Sequence, residues 1–498
     1  MAKQADRRKS ERSGGASKTA LVFSVIALCL LLGVGAYALL SFRQGTLNAT
    51  LIRLLKLAVL ACAGLSLLAL ICALVAFFSR RQRKGAAVPA LLLAVLLLVG
   101  SGSAIWVYQY MFGRMQHDAA FRELSAEDLH VAQTGENGEV LRESTEPSTV
   151  LSYEEIAARL KRTEVKFDTV PPEELPPDAA KLMEGDAPEG KSYLYDSANR
   201  VSNYLLFGLD ERGASDSIIL CSVDRAHRKV KLLSLGRDTY AIIPTFGTYA
   251  RMGYAYVWGG PELAISTINK NFCLNVQDYI AVDFDQLADI IDYVGGVDVE
   301  LNEAEVRYLS SYGSFQVGRN HLDGKAAVGF ARTRKSTADD TEINRTGRQR
   351  EVLVSLMESV LDMPVTSYPS FIRNCLGMCK TSFDASTLTE IAAEVAQGSY
   401  SVKQEALLEH VDFWGGIMGQ EQFFYTVYDL NRASDYIYRY LYEDLYISGY
   451  HDCPPFSLKE PLGRFSKRLF FLCCHLRPRL REALIKLQEW SARDFVPN

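Results

Sequence analysis

Three uninterrupted apolar runs open the chain, at residues 20–40, 57–78 and 86–111, and none contains an Asp, Glu, Lys or Arg. Each exceeds the roughly 20 residues that carry a helix across about 30 Å of hydrocarbon. A cleaved leader would be one short run with a small-residue cleavage site. Three runs joined by tight loops predict a helical membrane bundle instead. After residue 112 the apolar pattern weakens. Residues 152–161 predict a short helix with Glu154 and Glu155 in its first turn, and the run VPPEELPP at 170–177 predicts an extended connector.

From residue 203 the pattern changes again, to the alternation of short apolar runs and amphipathic stretches expected of an α/β domain. Residues 203–208 predict a buried strand. Residues 217–223 and 230–235 predict two strands around the polar DRAHRK connection, most simply a hairpin. A helix is predicted at 261–272 with Pro261 in its first turn. Another is predicted at 284–293, ending before Gly295-Gly296, and a long amphipathic one at 344–361. Residues 297–301 and 327–332 predict further strands. The stretch 363–447 ends in a strand at 424–428 and a helix at 431–441, and it completes the same domain. The predicted organisation is a leader (1–19), three transmembrane helices (20–111), an accessory region serving as spacer or packing module (112–195), an α/β domain (196–447) and a basic tail (448–498). The tail reads either as a surface helix or as poorly ordered chain.

Composition changes this picture in two ways. The 48% hydrophobic content of the 498 residues is an average over a membrane part and a soluble part, so a wholly cytosolic protein is excluded. The net charge of -5 gives no footprint for nucleic-acid binding. Ten cysteines over this length are too few for a disulfide scaffold. Cys375 and Cys379 lie four apart, a spacing that suits a disulfide poorly on a helix. Lys and Arg crowd the leader and the 79–85 loop, which holds Arg80, Arg81, Arg83 and Lys84 without an acid. Both segments are therefore expected on the cytoplasmic side, and the large domain outside. Arg43, Arg53 and Lys56 weaken that contrast without reversing it.

Four clusters carry candidate chemistry. Asp210 ends one predicted strand and Asp216 begins the next, so a short turn can bring both carboxylates to one rim. Two carboxylates plus phosphate oxygens suit Mg²⁺, although two solvated turn aspartates would give the same spacing. Arg237-Asp238 follows the strand at 230–235, as an anion-binding pair or as a structural salt bridge. Arg332 and Arg334, if in a strand, share one face about 6–7 Å apart, a gap that a diphosphate fits. Two separate edge arginines are the other reading. Arg345, Arg348 and Gln349 lie three and four apart at the start of the 344–361 helix, where the helix N-terminus attracts an anion. No Ser-His-Asp, HExxH, Walker A or GxGxxG pattern is present, and the seven histidines show no metal spacing in the large domain.

The pieces LLFGLDER, SDSIIL, KVKLLSLGRDTY, GYAYVWGGPELAISTI, DYIAVDFDQLADIIDYVGGVDVEL, LDGKAAVGFARTRK and NRTGRQREVL occur in an order that resembles the catalytic core of the LytR-CpsA-Psr family. They cover about a third of the chain, and 362–447 resembles the family's continuation more loosely. The resemblance implies an α-β-α fold with a central mixed sheet and an apolar pocket for a polyprenyl chain, behind three membrane helices. It implies a Mg²⁺-assisted transferase outside the cytoplasmic membrane, moving a glycopolymer phosphate from undecaprenyl pyrophosphate to peptidoglycan. Wall teichoic acids and capsules are such polymers. By position, Asp210 and Asp216 match the family's metal aspartates. Arg237, Arg332, Arg334, Arg345 and Gln349 match its pyrophosphate-binding and catalytic side chains, and Asp238 matches the Asp beside the first of them, a candidate catalytic base or equally a salt-bridge partner of a neighbouring Arg. Four positions depart from the family pattern. Ala214 replaces an Arg, for which Arg212 stands in. Gly236 replaces a Pro. Arg251-Met252-Gly253 replaces Lys-Ile-Asn and keeps the charge. Glu342 replaces an Asp.

The resemblance therefore implies four partners or cofactors: Mg²⁺, a lipid-linked glycopolymer, peptidoglycan and membrane lipid. A lipid pyrophosphatase using water as acceptor is the nearest rival. A regulator acting on DNA is disfavoured, because the leader holds no helix-turn-helix and an outside domain cannot reach a promoter. The topology makes one prediction. Protease added to intact protoplasts should cleave the large domain, and full protection of that domain would reverse the orientation.

Overall fold

The computed structural model describes residues 15–43, 49–78, 84–118, scattered residues between 121 and 141, 168–183, 201–225, 227–244, 247–333, 342–396 and 400–442. The predicted helix at 152–161 and the tail at 448–498 lie outside the described residues. The three apolar runs form helices α1 (Gly15–Arg43), α2 (Ala49–Phe78) and α3 (Lys84–Phe112). All three are long and apolar enough to span a membrane. They pack through small residues, with Ala20, Ala73 and Ala90 together in one cluster and Ala27, Cys62 and Leu97 in another. Small side chains let helix backbones approach closely where no water drives association.

The large domain is built on a seven-stranded mixed sheet. In chain order its strands are β1 (Gln116–His117), β2 (Val201–Leu209), β3 (Ser215–Asp224), β4 (Lys229–Leu235), β7 (Tyr279–Asp283), β10 (Lys380–Thr381) and β11 (Ser401–Ala406). Across the sheet the order is β1-β10-β7-β2-β3-β4-β11. The hairpin expected around DRAHRK is present as antiparallel β3–β4, with Ile218 opposite Leu235. Alternation along β2 decides the two faces. Leu205 and Phe207 enter the main core with Trp258, Ile265 and Ile437, from helices α5 (Tyr254–Phe272) and α12 (Leu430–Tyr442). Leu206 faces the other way, toward Leu353 and Met357 of α9 (Glu342–Leu361).

Short two-stranded sheets complete the domain. β5 (Tyr240–Ile243) pairs with β6 (Thr248–Arg251), β8 (Val297–Leu301) with β9 (Gly318–Leu322), and β12 (Phe413–Met418) with β13 (Phe423–Tyr428). The strand expected at 297–301 is thus present but does not join the main sheet. The helix expected at 261–272 is present too, preceded by a separate turn from Tyr254, with the break at Gly260 (φ 74°).

Three features differ from the sequence reading. Residues 327–332 are not a strand; they belong to helix α8 (Gly324–Arg332), whose N-terminus Asp323 caps by accepting from the Ala326 N–H at 2.8 Å. The Pro-rich run is no open connector. It contains a turn of 3-10 helix, Pro172–Glu174, and leads into α4 (Pro177–Met183), while Val170 is buried against Tyr240, Tyr425 and Val427. The accessory region also supplies an edge strand of the main sheet, since β1 runs parallel to β10.

The domain sits directly on the bundle. Helix α10 (Tyr368–Met378) packs on α3, and α11 (Ala385–Ala396) packs on α2. Arg53 pairs with Asp384, and Arg373 donates to the Tyr110 carbonyl at 2.9 Å while its guanidinium lies over the Tyr110 ring. Cys375 and Cys379 are both buried and free. Burial pushes each thiol up to about 12.

On the far side of the sheet, Lys231 is fully buried in β4 and donates to the Tyr440 and Leu441 carbonyls at 3.0 Å each. These are carbonyls of the last turn of α12, where a cation is favoured. Lys231→Met keeps the stem but strands two carbonyls. With hydrogen bonds to a charged group contributing about 1.5–3 kcal/mol each, the urea midpoint should fall clearly. An unchanged midpoint would show that α12 does not depend on this cap.

Candidate active site

The site grows from the turn between β2 and β3. Asp210 Oδ1 accepts from the backbone N–H groups of Arg212 and Ala214, both at 2.9 Å, which locks the turn onto its own carboxylate. Gly213 completes the turn at φ +80°, a conformation that favours glycine. The Arg212 guanidinium returns to Asp210 Oδ2 at 3.1 Å. Strand β3 begins at once, and its second residue, Asp216, is 7% exposed.

Asp216 gathers the cations. Its Oδ1 pairs with Arg237, from the turn after β4, and its Oδ2 accepts from Arg345, on the first turn of α9, at 2.9 Å. Arg345 also donates to the Asp216 carbonyl at 3.1 Å. The neighbouring Asp238 pairs with Arg251 of β6 and lies 3.6 Å from Arg237 Nε. Burial works against the charge on Arg251, yet the Asp238 carboxylate beside it holds its pKa above the ordinary value. Arg251 in turn donates to the Tyr254 hydroxyl at 3.0 Å. Close backbone approach makes the arrangement possible. A Cβ at Gly253 would lie 2.9 Å from the Ser215 carbonyl and 3.1 Å from the Arg237 carbonyl, so glycine lets three segments meet.

These side chains line one pocket of about 1310 Å³. Its walls carry six cations (Arg212, Arg237, Arg251, Lys325, Arg332 and Arg345) against four carboxylates (Asp210, Asp216, Asp238 and Asp285), so it is suited to an anion of more than one charge. Helices α6 (Phe284–Val294), α7 (Glu303–Leu309) and α8, with the turn after α7, line it with Phe284, Ala288, Tyr308, Tyr312 and Val328 alongside Asp285, Lys325 and Arg332. Phe423 and Phe424 enter from hairpin β12–β13.

The structure brings Asp210, Asp216, Arg212, Arg237, Asp238, Arg251, Arg332 and Arg345 to this one pocket, as the sequence reading grouped them. It corrects the geometry of Arg332. That residue ends helix α8, where a cation suits the dipole, and does not lie on a strand face beside Arg334. Its guanidinium lies 4.5 Å over the Phe284 ring and 3.6 Å from Glu211. Arg334 lies outside the described residues. Gln349 is buried on α9 and does not line the pocket; neither polar atom of its amide has a hydrogen-bond partner among the described residues.

Arg348, expected beside Arg345 on one face, turns to a buried pair with Glu305 at 3.2 Å and donates to the Thr333 carbonyl at 2.5 Å. Sequence reasoning missed Lys325, Tyr254, Phe423 and Phe424. The last two fell in or beside a predicted strand, and only the hairpin's position beside Arg251 reveals them.

Among the described residues no group of three or more His, Cys, Asp or Glu could form a metal cage. Mg²⁺ does not require one, since it keeps several waters and takes one or two carboxylates plus substrate phosphate. Asp210 and Asp216 line the same pocket as hard oxygen donors, each already engaged by backbone N–H groups or guanidiniums. In donor type and number these residues fit Mg²⁺.

The fold and pocket define an α/β domain behind three helices long and apolar enough to span a membrane, with a cationic site whose lining also carries apolar helical side chains. The LytR_cpsA_psr family profile matches residues 177–433, and the chain belongs to that family. It is 28% identical over 211 residues to the polyisoprenyl-teichoic acid–peptidoglycan teichoic acid transferase TagU of Enterococcus faecalis, covering 41% of this chain and 68% of that protein. It is 31% identical over 254 residues to the same-named protein of Oceanobacillus iheyensis, covering 48% and 76%. The crystal structure of B. subtilis TagT aligns at 21% identity with a TM-score of 0.41, over 53% of this chain and 98% of that one.

Asp216→Ala should do more than lower activity. It leaves half-buried Arg237 and buried Arg345 side by side without their shared carboxylate, and breaking a buried pair costs about 3–5 kcal/mol. The melting temperature should drop, and added inorganic pyrophosphate should restore part of the loss. A melt identical to wild type would show that these arginines do not depend on Asp216.

Proposed function

We propose that the chain is a phosphotransferase that moves a glycopolymer, with its linking phosphate, from a polyprenyl diphosphate carrier such as undecaprenyl pyrophosphate onto peptidoglycan. The reaction belongs at the outer face of the cytoplasmic membrane. One observation carries the reading: a single pocket is lined both by an excess of guanidiniums and by apolar helical side chains. A diphosphate headgroup and a prenyl tail need both kinds of surface in one site. The relatives named as teichoic acid transferases support the polymer class.

In the proposed reaction the acceptor hydroxyl oxygen attacks the phosphorus that bears the glycan. A new P–O bond forms, the bond to the lipid-side phosphate oxygen breaks, and the polyprenyl monophosphate leaves, while the hydroxyl proton passes to solvent or to that leaving phosphate. Charge grows on the nonbridging and leaving oxygens, so fixed cations contribute most where they are already aimed. Arg237, Arg251 and Arg345 are held by carboxylates and need little reorganisation. Arg332, half exposed and only loosely paired with Glu211, is free to close on the substrate. Asp238 is engaged by two guanidiniums, so its work in this site is to orient them. Mg²⁺ on Asp210 and Asp216 would neutralise phosphate charge.

The test is transfer of glycan from a synthetic polyprenyl diphosphate donor to peptidoglycan by the detergent-solubilised full chain. Chelation of divalent cations should abolish transfer, and added Mg²⁺ should restore it. Arg332→Ala should lower the rate by about 10- to 150-fold, one charged hydrogen bond's worth of transition-state stabilisation, with the melt unchanged. Release of free phosphate-terminated glycan with none on peptidoglycan would make the protein a hydrolase. Chelator-insensitive transfer would remove the metal.

A further inference from the structure

The hairpin β12–β13 carries an apolar strip that the diphosphate chemistry leaves unused. Phe413, Gly415 and Ile417 share one face of β12, and Phe424 stands opposite Ile417 on β13. Phe413 is 44% exposed, Ile417 63% and Phe424 45%. Phe424 has a second identity, because it also lines the charged pocket. The tip of its ring lies 2.9 Å from where a Cβ at Gly415 would sit, so the ring leans across the partner strand into space that only glycine leaves. The hairpin is anchored next to the charged cluster, with Thr426 N–H donating to the Asp238 carbonyl at 2.8 Å. Phe423, one residue before the strip's aromatic, packs edge-on against Tyr254 and under Arg251.

We propose that Phe424, with Gly415 beneath it, is a stacking platform for the pyranose ring bonded to the donor's diphosphate. This rests on the phosphotransferase reading above. The pocket lining offers two apolar surfaces beside its cations. The helical side chains Phe284, Tyr308, Tyr312 and Val328 suit the prenyl tail, which leaves Phe424 of the hairpin for the sugar on the far phosphate. A pyranose presents a face of C–H groups that packs on an aromatic ring, and an exposed phenylalanine at a phosphate site offers such a ring.

The membrane is the less suitable occupant of this strip. The bundle packs on α10 and α11, beside the β10 edge of the sheet. The hairpin is tied to the turn after β4, four strands away from β10 and about 19 Å across the sheet at 4.8 Å per strand.

The experiment measures binding of two probes to the full chain in detergent: bare polyprenyl diphosphate, and the same lipid carrying one N-acetylhexosamine. Wild type should prefer the glycosylated lipid by about 3- to 10-fold, the range of one aromatic contact. Phe424→Ala should abolish that preference, Phe424→Trp should keep it, and Gly415→Val should reduce it by displacing the ring. Circular dichroism and melts establish that the hairpin stays folded in each.

Three results would overturn the platform. The first is Phe424→Ala keeping the full preference. The second is equal weakening of both probes, which would make Phe424 part of the diphosphate pocket. The third is a raised KM for peptidoglycan alone, which would assign the strip to the acceptor. Failure of wild type to bind either lipid would instead sink the phosphotransferase reading, and the platform with it.

Discussion

Buried guanidiniums repel one another and lose their hydration, so a pocket built from them collapses or splays unless carboxylates sit between them. Asp216 is the carboxylate on which this site depends. It lies at the start of β3 and takes Arg237 from the end of β4 on one oxygen and Arg345 from α9 on the other. Both ends of the β3–β4 hairpin and a helix 129 residues further on are thus fixed to one residue. Asp238 does the same for Arg251 and the second edge of Arg237. The result is a set of donors already oriented before substrate arrives. That matters because phosphoryl transfer offers the protein little covalent work and depends on fixed charge and positioning.

A second buried pair carries that order to the apolar side chains of the pocket. Arg348 lies one turn beyond Arg345 on α9, and its partner Glu305 is the third residue of α7. Glu305 also accepts from the Asn302 N–H at 3.0 Å, so the same carboxylate closes the cap of α7. The Arg348 contact with the Thr333 carbonyl holds the end of α8, one residue past Arg332. The helix that presents Arg345, the helix that presents Tyr308 and the helix that presents Arg332 are therefore registered through one guanidinium. Residues that never reach the pocket set where its cations and its apolar wall lie.

Much of this was legible in the sequence, and the reasons are local. The β3–β4 hairpin, the Pro261 helix and the 344–361 helix follow from periodicity and end signals that tertiary packing did not overrule. The grouping of Asp210, Asp216, Arg237 and Arg345 followed from motif order. The error at 327–332 has a specific cause. The string AAVGFAR is short and apolar enough for a strand, but Asp323 caps it, and Ala326, Ala327, Phe330 and Ala331 then fall at helical spacing on the buried face. Gly324 at its start lies so close to the Ala288 carbonyl that a side chain there would overlap it, which seats α8 against α6. The partner of Arg348 was not legible at all, because Glu305 is 43 residues away and nothing in the spacing points to it. The packing of Val170 under Tyr240 and Tyr425 was hidden for the same reason, since a Pro-rich run looks alike whether it spans solvent or lies along a hairpin.

The bundle is more than a tether in this architecture. A flexible linker would leave the pocket at any height above the membrane, whereas here α10 and α11 rest on α3 and α2. Arg53–Asp384 and Arg373–Tyr110 fix the contact on both helices, and β1 carries the chain from α3 straight into the sheet edge. A carrier whose tail is anchored in lipid can bring its diphosphate only a short distance into water before apolar surface is exposed, at about 25 cal/mol per Å². A domain held at fixed height meets that headgroup without a search. The aromatic hairpin is tied to the turn after β4 that also carries Arg237 and Asp238, so the charged cluster and the hairpin lie side by side, where a lipid-linked phosphate and its first sugar meet.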